Sequence, residues 1–333
     1  MKAAVIGTGG MGGHHVKVYQ AMEDVQLVAV VDPDLEKAKR KVSDKSVHLY
    51  SNLEEMLAHE QVDLVDICTP SYLHADQAIK AMNSGIHVLC EKPVALTLED
   101  ADRMLQASIR NGVFFMVAHV IRFWPEYLYL KEVFERGEYG KLNHLFLSRI
   151  CRAPESSWKN WMIDKTLSGG AATDLHIHDT DFILYMLGDP LSVSSYGVEQ
   201  GQDISYIMTN YEYRDYIVQA EGGWYRHSSP FKMSFRANFE LAALEYAEDK
   251  LMLYQLNEDP QQIQLGKRKT AANQSPDTNI HSLGAYYDEI KYFMDCIRNN
   301  VPPQIIKPED VINTLKWIDK EQESVHSGIR IYA

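Results

Sequence analysis

The chain has 333 residues, of which 45% are hydrophobic and 24% charged, so it can bury a sizeable core and wholesale disorder is excluded. At about 150 residues per domain, this length predicts roughly two domains. The formal net charge of −13 at pH 7 argues against a general nucleic-acid binder and against a basic membrane-surface protein, because both need a positive surface.

The N-terminal residues and the cysteines predict a cytoplasmic protein without a membrane partner. The apolar run that follows Met1-Lys2 ends at Gly7, which is too short for the apolar region of a signal peptide. No run approaches the roughly 20 apolar residues of a membrane span. The cysteines form no Cys-x-x-Cys pair and are typical of reduced, buried thiols: Cys68, Cys90, Cys151 and Cys296.

Short apolar runs alternate with amphipathic stretches over the first 120 residues. The pattern predicts strands at 3–6, 27–31, 62–68, 86–89 and 113–118, and helices at about 12–22, 34–42, 52–59, 74–84 and 97–110. Thr97 with Asp100 caps the last of these helices, and Asn111-Gly112 ends it. Continuous apolar strands bridged by helices predict a doubly wound parallel sheet in an α/β domain covering residues 1–120.

The pattern of apolar and polar residues changes after about residue 120. A long strand is predicted at 142–151, and the stretch 190–256 is mostly β-like. Helices are predicted at about 170–187, 282–299 and 308–325, the last ending at Gly328 and able to pack against either domain. Residues 121–333 are therefore predicted to form a second α/β domain with a large, mostly antiparallel open sheet, used for substrate binding and oligomerisation.

A glycine-rich loop predicts a dinucleotide site. It reads Gly7-Thr8-Gly9-Gly10-Met11-Gly12, follows a predicted strand and opens a predicted helix. Asp32 ends the next strand, 20 residues after Gly12. In this context the glycines let the backbone approach a pyrophosphate at the helix N-terminus, while Asp32 accepts hydrogen bonds from the ribose hydroxyls.

Asp32 favours NAD over NADP, because a 2′-phosphate would meet a like charge. NADP stays open as an alternative, since basic side chains lie on the next helix: Lys37, Lys39 and Arg40. The plainer interpretation is a flexible glycine turn with Asp32 as an ordinary polar residue at a strand end.

An ordered set of motifs resembles the glucose–fructose oxidoreductase and inositol dehydrogenase family (Gfo/Idh/MocA). The motifs are the glycine loop followed by His15, then Thr69-Pro70-Ser71-Tyr72-Leu73-His74, Glu91-Lys92-Pro93, and Gly169-Gly170 leading into Asp174-Leu-His176-Ile-His178-Asp179. The resemblance implies a Rossmann domain followed by an α/β domain, and a pyranose, cyclitol or related polyol as substrate. Two departures are visible: two glycines stand where three are common, and His176 stands where a glycine is often found.

The same resemblance assigns cofactor contacts around the nicotinamide to Thr69, Pro70, His74, Glu91 and Lys92. It also implies a cis peptide bond between Lys92 and Pro93.

Three residues form the predicted catalytic set: Lys92, Asp174 and His178. Asp174 and His178 are four residues apart, so on a helix they share a face and can hydrogen-bond. An aspartate that fixes the histidine tautomer leaves the other ring nitrogen free to take a proton from a hydroxyl. Lys92 follows a strand at the carboxyl edge of the sheet, where its cation can favour an alkoxide-like transition state. The alternatives are a structural histidine and a surface lysine.

No metal site is predicted. His176 and His178 resemble a His-x-His ligand pair, but that spacing suits a strand, where both side chains point the same way. On a helix the two side chains diverge.

Five further residues are candidates for substrate contact: Arg122, Trp158, Trp161, His281 and Tyr286. Tryptophan faces suit the apolar face of a sugar ring, and a charged neighbour can bond its hydroxyls. Loop packing explains the tryptophans almost as well, and Arg122, which is expected to face the cleft between the two domains, could equally brace that cleft.

The sequence therefore predicts an NAD-dependent dehydrogenase of a sugar, cyclitol or polyol, or a ketoreductase in the reverse direction, assembled as a homodimer or homotetramer. Two alternatives remain: an enzyme that uses bound NAD in glycoside cleavage through transient oxidation, and a non-catalytic sugar- or nucleotide-sensing module. The presence of all three catalytic candidates argues against the sensor, which would be free to lose them.

Overall fold

The computed structural model describes residues 1–200, 203–265 and 284–333. The chain divides into two compact units. The first contains Met1–Val120 and a later segment that ends at Ile312, and the second begins at Ile121 and includes Asn313–Ala333.

The strands of the described residues fall into two sheets. The first contains β1 (Lys2–Ile6), β2 (Gln26–Val31), β3 (His48–Tyr50), β4 (Leu64–Ile67), β5 (His87–Glu91) and β6 (Phe115–Ala118). The second contains β7 (Leu142–Arg152), β8 (Ser192–Gln200), β9 (Asp203–Glu212), β10 (Ile217–Tyr225), β11 (Lys232–Phe239), β12 (Ala242–Ala247), β13 (Lys250–Gln255), β14 (Gln261–Gln262) and β15 (Ile331–Tyr332).

The α-helices within the same described ranges are α1 (Gly10–Ala21), α2 (Leu35–Lys41), α3 (Leu53–His59), α4 (His74–Asn83), α5 (Leu98–Asn111), α6 (Pro125–Arg136), α7 (Lys165–Ser168), α8 (Ile177–Leu187), α9 (Gly284–Asn299) and α10 (Pro308–Ser327). None of them is both long enough and apolar enough to cross a membrane.

The first sheet is parallel throughout and runs in the order β3-β2-β1-β4-β5-β6 over the described residues. The inner strands are buried along their length, as in β4, because helices connect each strand to the next. The prediction of a doubly wound parallel sheet is confirmed. Strand β3 was not predicted, since its three residues are partly exposed and form no apolar run.

Helix α5 shows how local sequence sets the limits of an element. The Thr97 side chain accepts a hydrogen bond from the Asp100 backbone N–H, and Gly112 ends the helix at a φ of 62°. Both end signals were predicted.

The second sheet has the order β14-β13-β12-β11-β7-β10-β9-β8-β15 in the described part of the chain, and only β7 and β10 pair in parallel there. The prediction of a large, mostly antiparallel sheet is confirmed. Burial alternates along β7, so one face of the sheet packs on helices α6 and α8. The core between them includes Tyr127, Leu130, Leu145, Leu147, Phe182 and Ile183.

Helix α6 was not predicted, and the position of helix α10, which the sequence left open, is given by the structure. Helix α6 was missed, although Pro125 lies in its first turn and Gly137 ends it at a φ of 60°. Helix α10 groups with the second unit from Asn313 onward, and its Trp317 joins the core of that unit.

Candidate active site

The glycine-rich loop is shaped by close backbone contacts. Gly7 has a φ of +89°, and a Cβ there would lie 2.8 Å from the Cys68 carbonyl oxygen. A Cβ on Gly12 would lie 1.8 Å from the Gly7 carbonyl oxygen, so the turn requires glycine at both positions. A Cβ on Gly9 would meet nothing within 4 Å, and Gly9 caps α1 without a side chain. The loop thus leaves open space beside the N–H donors of the helix start, which suits a pyrophosphate.

Asp32 lies at the end of β2 with 5% of its surface exposed. Its Oδ2 accepts hydrogen bonds from the Thr8 backbone N–H at 2.8 Å and from the Thr8 hydroxyl at 2.6 Å, and its Oδ1 accepts from the Asp34 N–H at 2.9 Å. Burial opposes ionisation of Asp32, but these hydrogen bonds and the Lys37 charge outweigh it and lower its pKa. Asp32 is therefore an ionised acceptor locked onto the glycine loop, as a ribose-binding carboxylate should be.

Lys37 is the basic side chain beside this carboxylate. Its Nζ lies 3.4 Å from Asp32 Oδ2, at the start of α2. The pair partly neutralises the charge that a 2′-phosphate would meet.

His74 joins the loops that follow β4 and β5. Its Nδ1 lies 2.8 Å from the Pro93 carbonyl oxygen and its Nε2 lies 2.9 Å from the Thr69 carbonyl oxygen. Burial lowers the pKa of His74, which favours the neutral ring. The Lys92–Pro93 peptide bond is cis, as the resemblance implied. Lys92 therefore lies in the loop after β5, next to Pro93, whose carbonyl oxygen contacts the buried His74 ring.

A buried network beneath the glycine loop was not predicted. His15 on α1 places Nδ1 2.8 Å from Asp66 Oδ2 and Nε2 3.2 Å from Glu91 Oε1. The Cys68 thiol lies 3.4 Å from both His15 Nδ1 and Asp66 Oδ1. Burial alone would lower the pKa of His15, but Asp66 and Cys68 raise it well above its ordinary value. His15 is therefore a buried cation that links α1 to the ends of β4 and β5.

One signal in the sequence could have revealed this network. Asp66 interrupts the apolar run of β4, and an acidic residue on a fully buried strand needs a partner. His15 was noted only as part of the motif that follows the glycine loop, and no charged partner was predicted for it.

The Asp174–His178 pair lies in the second unit, at the start of α8. Asp174 belongs to a π-helical turn, Ala172–His176, which leads directly into that helix. The sequence predicted a regular α-helix here, and the structure differs from that prediction in this one turn. The four-residue interval from Asp174 to His178 therefore crosses from the π-helical turn into α8. Gly169 precedes the turn at a φ of +78°, and a Cβ there would lie 2.5 Å from Thr173 Cβ. The glycine run therefore lets the chain pass close to the turn that carries Asp174.

Two buried arginine–aspartate pairs hold α8. Arg122 donates from Nε to Asp181 Oδ2 at 2.8 Å and from Nη2 to Asp181 Oδ1 at 2.7 Å. Arg149 on β7 makes the same two-point contact with Asp179, at 3.0 and 2.9 Å. The structure thus places the substrate candidate Arg122, 1% exposed, in a pair that braces the helix.

The other substrate candidates fall in different surroundings. Trp158 is 44% exposed, with Lys159 Nζ 4.4 Å from its ring centroid, and Trp161 is half-buried in the same loop. Tyr286 is buried on α9 in the first unit, where its ring packs edge-on against His14 at 4.9 Å. His281 lies outside the described residues.

Comparison with protein families identifies both units. Residues 1–119 match the model described as "Oxidoreductase family, NAD-binding Rossmann fold", and residues 127–238 match the GFO/IDH/MocA C-terminal domain. The chain belongs to the GFO/IDH/MocA oxidoreductase family. The predicted family and fold class are confirmed, and the glycine loop, Thr8 and Asp32 fit an NAD(P) cofactor.

Curated relatives carry more than one activity. The chain is 30% identical over 191 residues to a 2,7-anhydro-N-acetylneuraminate hydratase of Mediterraneibacter gnavus, covering 56% of this chain and 49% of the relative. It is 28% identical over 327 residues to a scyllo-inositol 2-dehydrogenase (NAD(+)) of Bacillus subtilis, covering 94% of this chain and 91% of the relative. The first match thus spans about half of the relative's length, whereas the second spans nearly all of it.

A solved structure shows the same fold along the whole chain. Myo-inositol 2-dehydrogenase from Lactobacillus plantarum superposes with a TM-score of 0.81 at 22% identity, covering 100% of this chain and 99% of that one.

Proposed function

We propose that this protein is an NAD-dependent dehydrogenase that oxidises a secondary alcohol of a sugar, cyclitol or related polyol, or reduces the corresponding ketone. The observation that carries the proposal is the pair of hydrogen bonds from Thr8 of the glycine loop to Asp32. The chain also contains Lys92, Asp174 and His178. The match to a scyllo-inositol dehydrogenase over nearly the full length of both chains supports the substrate class.

Each catalytic candidate has one proposed role. His178 takes the hydroxyl proton, and Asp174 orients it or accepts a hydrogen bond from a second hydroxyl of the substrate. Lys92 stabilises the negative charge that develops on the reacting oxygen, or transfers the proton itself. NAD, when bound, supplies the hydride acceptor that completes the oxidation.

NAD is the preferred cofactor in this proposal. Asp32 is ionised, and among the described residues its Oδ1 accepts one hydrogen bond, from the Asp34 N–H, which leaves acceptor capacity for ribose hydroxyls. Lys37 favours the opposite choice, because its ammonium could pair with a 2′-phosphate. Since Lys37 already lies 3.4 Å from Asp32, we expect it to reduce the discrimination and not to reverse it.

A second candidate function is a reaction without net oxidation, in which bound NAD is reduced transiently and regenerated. The relative from Mediterraneibacter gnavus is named a hydratase, and glycoside cleavage through transient oxidation is one of the alternatives that the sequence leaves open. We propose that both functions would use the same glycine loop and the same proton-transfer residues, so that they would differ in whether NADH is released.

One experiment separates them. The purified protein is incubated with NAD and a panel of inositols, aldoses, sugar acids, glycosides and anhydro sugars, while NADH absorbance and substrate loss are followed together. A dehydrogenase produces one NADH for each substrate consumed. Substrate loss without NADH indicates the hydratase- or glycosidase-type reaction, and cofactor binding without loss of any substrate indicates a sensor.

A further inference from the structure

His176 stands where the resembling family often has glycine, and its side chain is fully buried. We propose that His176 and Glu321 are a positioning pair, which holds the π-helical turn Ala172–His176 so that Asp174 and His178 keep their catalytic geometry. The proposal rests on the proposed function of these two residues. It assigns a role to the C-terminal helix α10, 145 residues along the chain from His176.

Four polar side chains lie within 3.2 Å of the Glu321 carboxylate. Its Oε2 lies 3.0 Å from His176 Nε2 and 3.2 Å from the Thr209 hydroxyl. Its Oε1 accepts from the Tyr211 hydroxyl at 2.8 Å and lies 3.1 Å from the Thr180 hydroxyl. A carboxylate buried without partners would be strongly destabilising, so this full set of donors marks a specified arrangement.

The sheet is shaped to receive His176. A Cβ on Gly222 of β10 would lie 2.8 Å from His176 Cβ and 3.0 Å from its Nδ1. Tyr211 of β9 places its hydroxyl 3.3 Å from His176 Nε2 as well as on Glu321. Glycine at 222 therefore provides the space that a histidine at 176 needs.

Helix α10 contacts the π-helical turn at two further points. Gln322 donates from Nε2 to the Thr173 hydroxyl at 3.2 Å, and Val325 packs in a small cluster with Ala172. With Glu321 on His176, one helix holds the turn on both sides of Asp174.

A π-helical turn needs such support. Its hydrogen bonding is less favourable than that of an α-helix, so π-turns occur as short segments and are frequent at functional sites. Here the turn sets the register between Asp174 and His178. Loss of the contact between His176 and Glu321 would let the π-helical turn relax. A displacement of about 1 Å at a catalytic group can cost about 10²-fold in rate.

The test compares Glu321→Gln and His176→Gln with a matched control, Ser324→Ala. Ser324 is also buried on α10, but its hydroxyl accepts from the Ser195 N–H at 2.9 Å and donates to the Ile329 carbonyl at 2.7 Å, and so bonds to residues other than His176. We expect kcat on the substrate found in the polyol panel to fall about 10²-fold in both pair variants. KM and the Kd for NAD should change less than about tenfold, and Ser324→Ala should keep its kcat.

Rescue strengthens the test. Two glutamines can hydrogen-bond each other, so the double variant His176→Gln/Glu321→Gln should recover more kcat than the two single losses predict. If a pair variant does not fold, Tyr211→Phe removes one hydroxyl from the same carboxylate and should lower kcat by a smaller factor. The proposal is overturned if the pair variants and Ser324→Ala lose kcat equally, in proportion to their loss of thermal stability.

Failure of the proposed function is distinguishable. If Asp174→Asn and His178→Gln turn over like the unmodified protein, or no panel member reacts, the catalytic assignment fails. The positioning role of the His176–Glu321 pair is then tested by NMR spectra of the histidine rings. The His178 signal is identified as the one that is missing from the spectrum of His178→Gln. The His178 signal should shift in Tyr211→Phe and Glu321→Gln but not in Ser324→Ala, and an unshifted signal overturns the proposal.

Discussion

At the residue scale, the glycine loop and Asp32 act as one unit, because Thr8 of the loop donates two hydrogen bonds to a single carboxylate oxygen. The loop conformation and the ribose acceptor are therefore set together. Lys92 and His178 have a different status, since their proposed work is on the reacting hydroxyl and not on the adenosine end. Substitutions at these two kinds of position should separate cofactor choice from chemistry.

Asp32→Ala should narrow the gap between NAD and NADP affinity. The substitution removes the negative charge that a 2′-phosphate would meet, while Lys37 keeps its positive charge. Isothermal titration with both cofactors measures the ratio, and Glu36→Ala serves as a control that removes a nearby exposed carboxylate on α2. Tighter binding of NADP by the unmodified protein would contradict the proposed preference.

Lys92→Ala and His178→Ala should each lower turnover about 10²-fold or more, the usual loss for a positioned acid or base. NAD binding should stay within about tenfold, because the glycine loop and Asp32 hold the adenosine end. Turnover on the panel substrate and NAD titration measure the two effects. Lys80→Ala is the control, since this surface lysine pairs with Glu54. Near-normal turnover in both catalytic variants would remove the assignment.

At the scale of elements, the parallel sheet was predictable because buried strands read as continuous apolar runs and glycine or capping residues end the helices. The predicted and observed limits of α5 agree for this reason. Long-range pairing was not predictable. The His15 network and the His176–Glu321 pair each join residues from separate elements, and only the fold brings those residues together. The π-helical turn could not be predicted for a related reason, because its contacts come from the distant helix α10.

The His15 network should make the stability of the first unit depend on pH. The folded pKa of His15 is raised above the unfolded value of about 6.5, so its contribution is complete below pH 6.5 and is lost as the pH rises through the folded pKa. The difference in unfolding free energy between the unmodified protein and His15→Gln should therefore shrink as the pH rises above 6.5. Urea unfolding at several pH values measures it, with His59→Gln, an exposed histidine of the same unit, as control. A difference that is constant or grows with pH would show that His15 is buried in its neutral form.

At the scale of the whole molecule, the second sheet presents a face that its own helices do not bury. Burial alternates along β7, β11 and β12, so alternate side chains remain partly exposed. On β8, Tyr196 and Val198 are 69% and 54% exposed, and beside them Tyr206 stacks on Tyr225 with ring centroids 6.4 Å apart. The β8 and β9 part of this face therefore carries exposed tyrosines, a residue type that is enriched at protein interfaces.

We expect this face to join copies of the chain into a homodimer or homotetramer. Light scattering at micromolar concentration should give a multiple of 38.1 kDa. Tyr196→Asp places a charge on this exposed strand, where its desolvation in an interface would be costly, and should shift the mass towards the single chain. Ile109→Asp is the matched control, because Ile109 is a similarly exposed apolar residue, at 62%, on α5 of the first unit. A mass of 38.1 kDa for the unmodified protein would contradict the predicted assembly, and an equal shift in both variants would place the interface elsewhere.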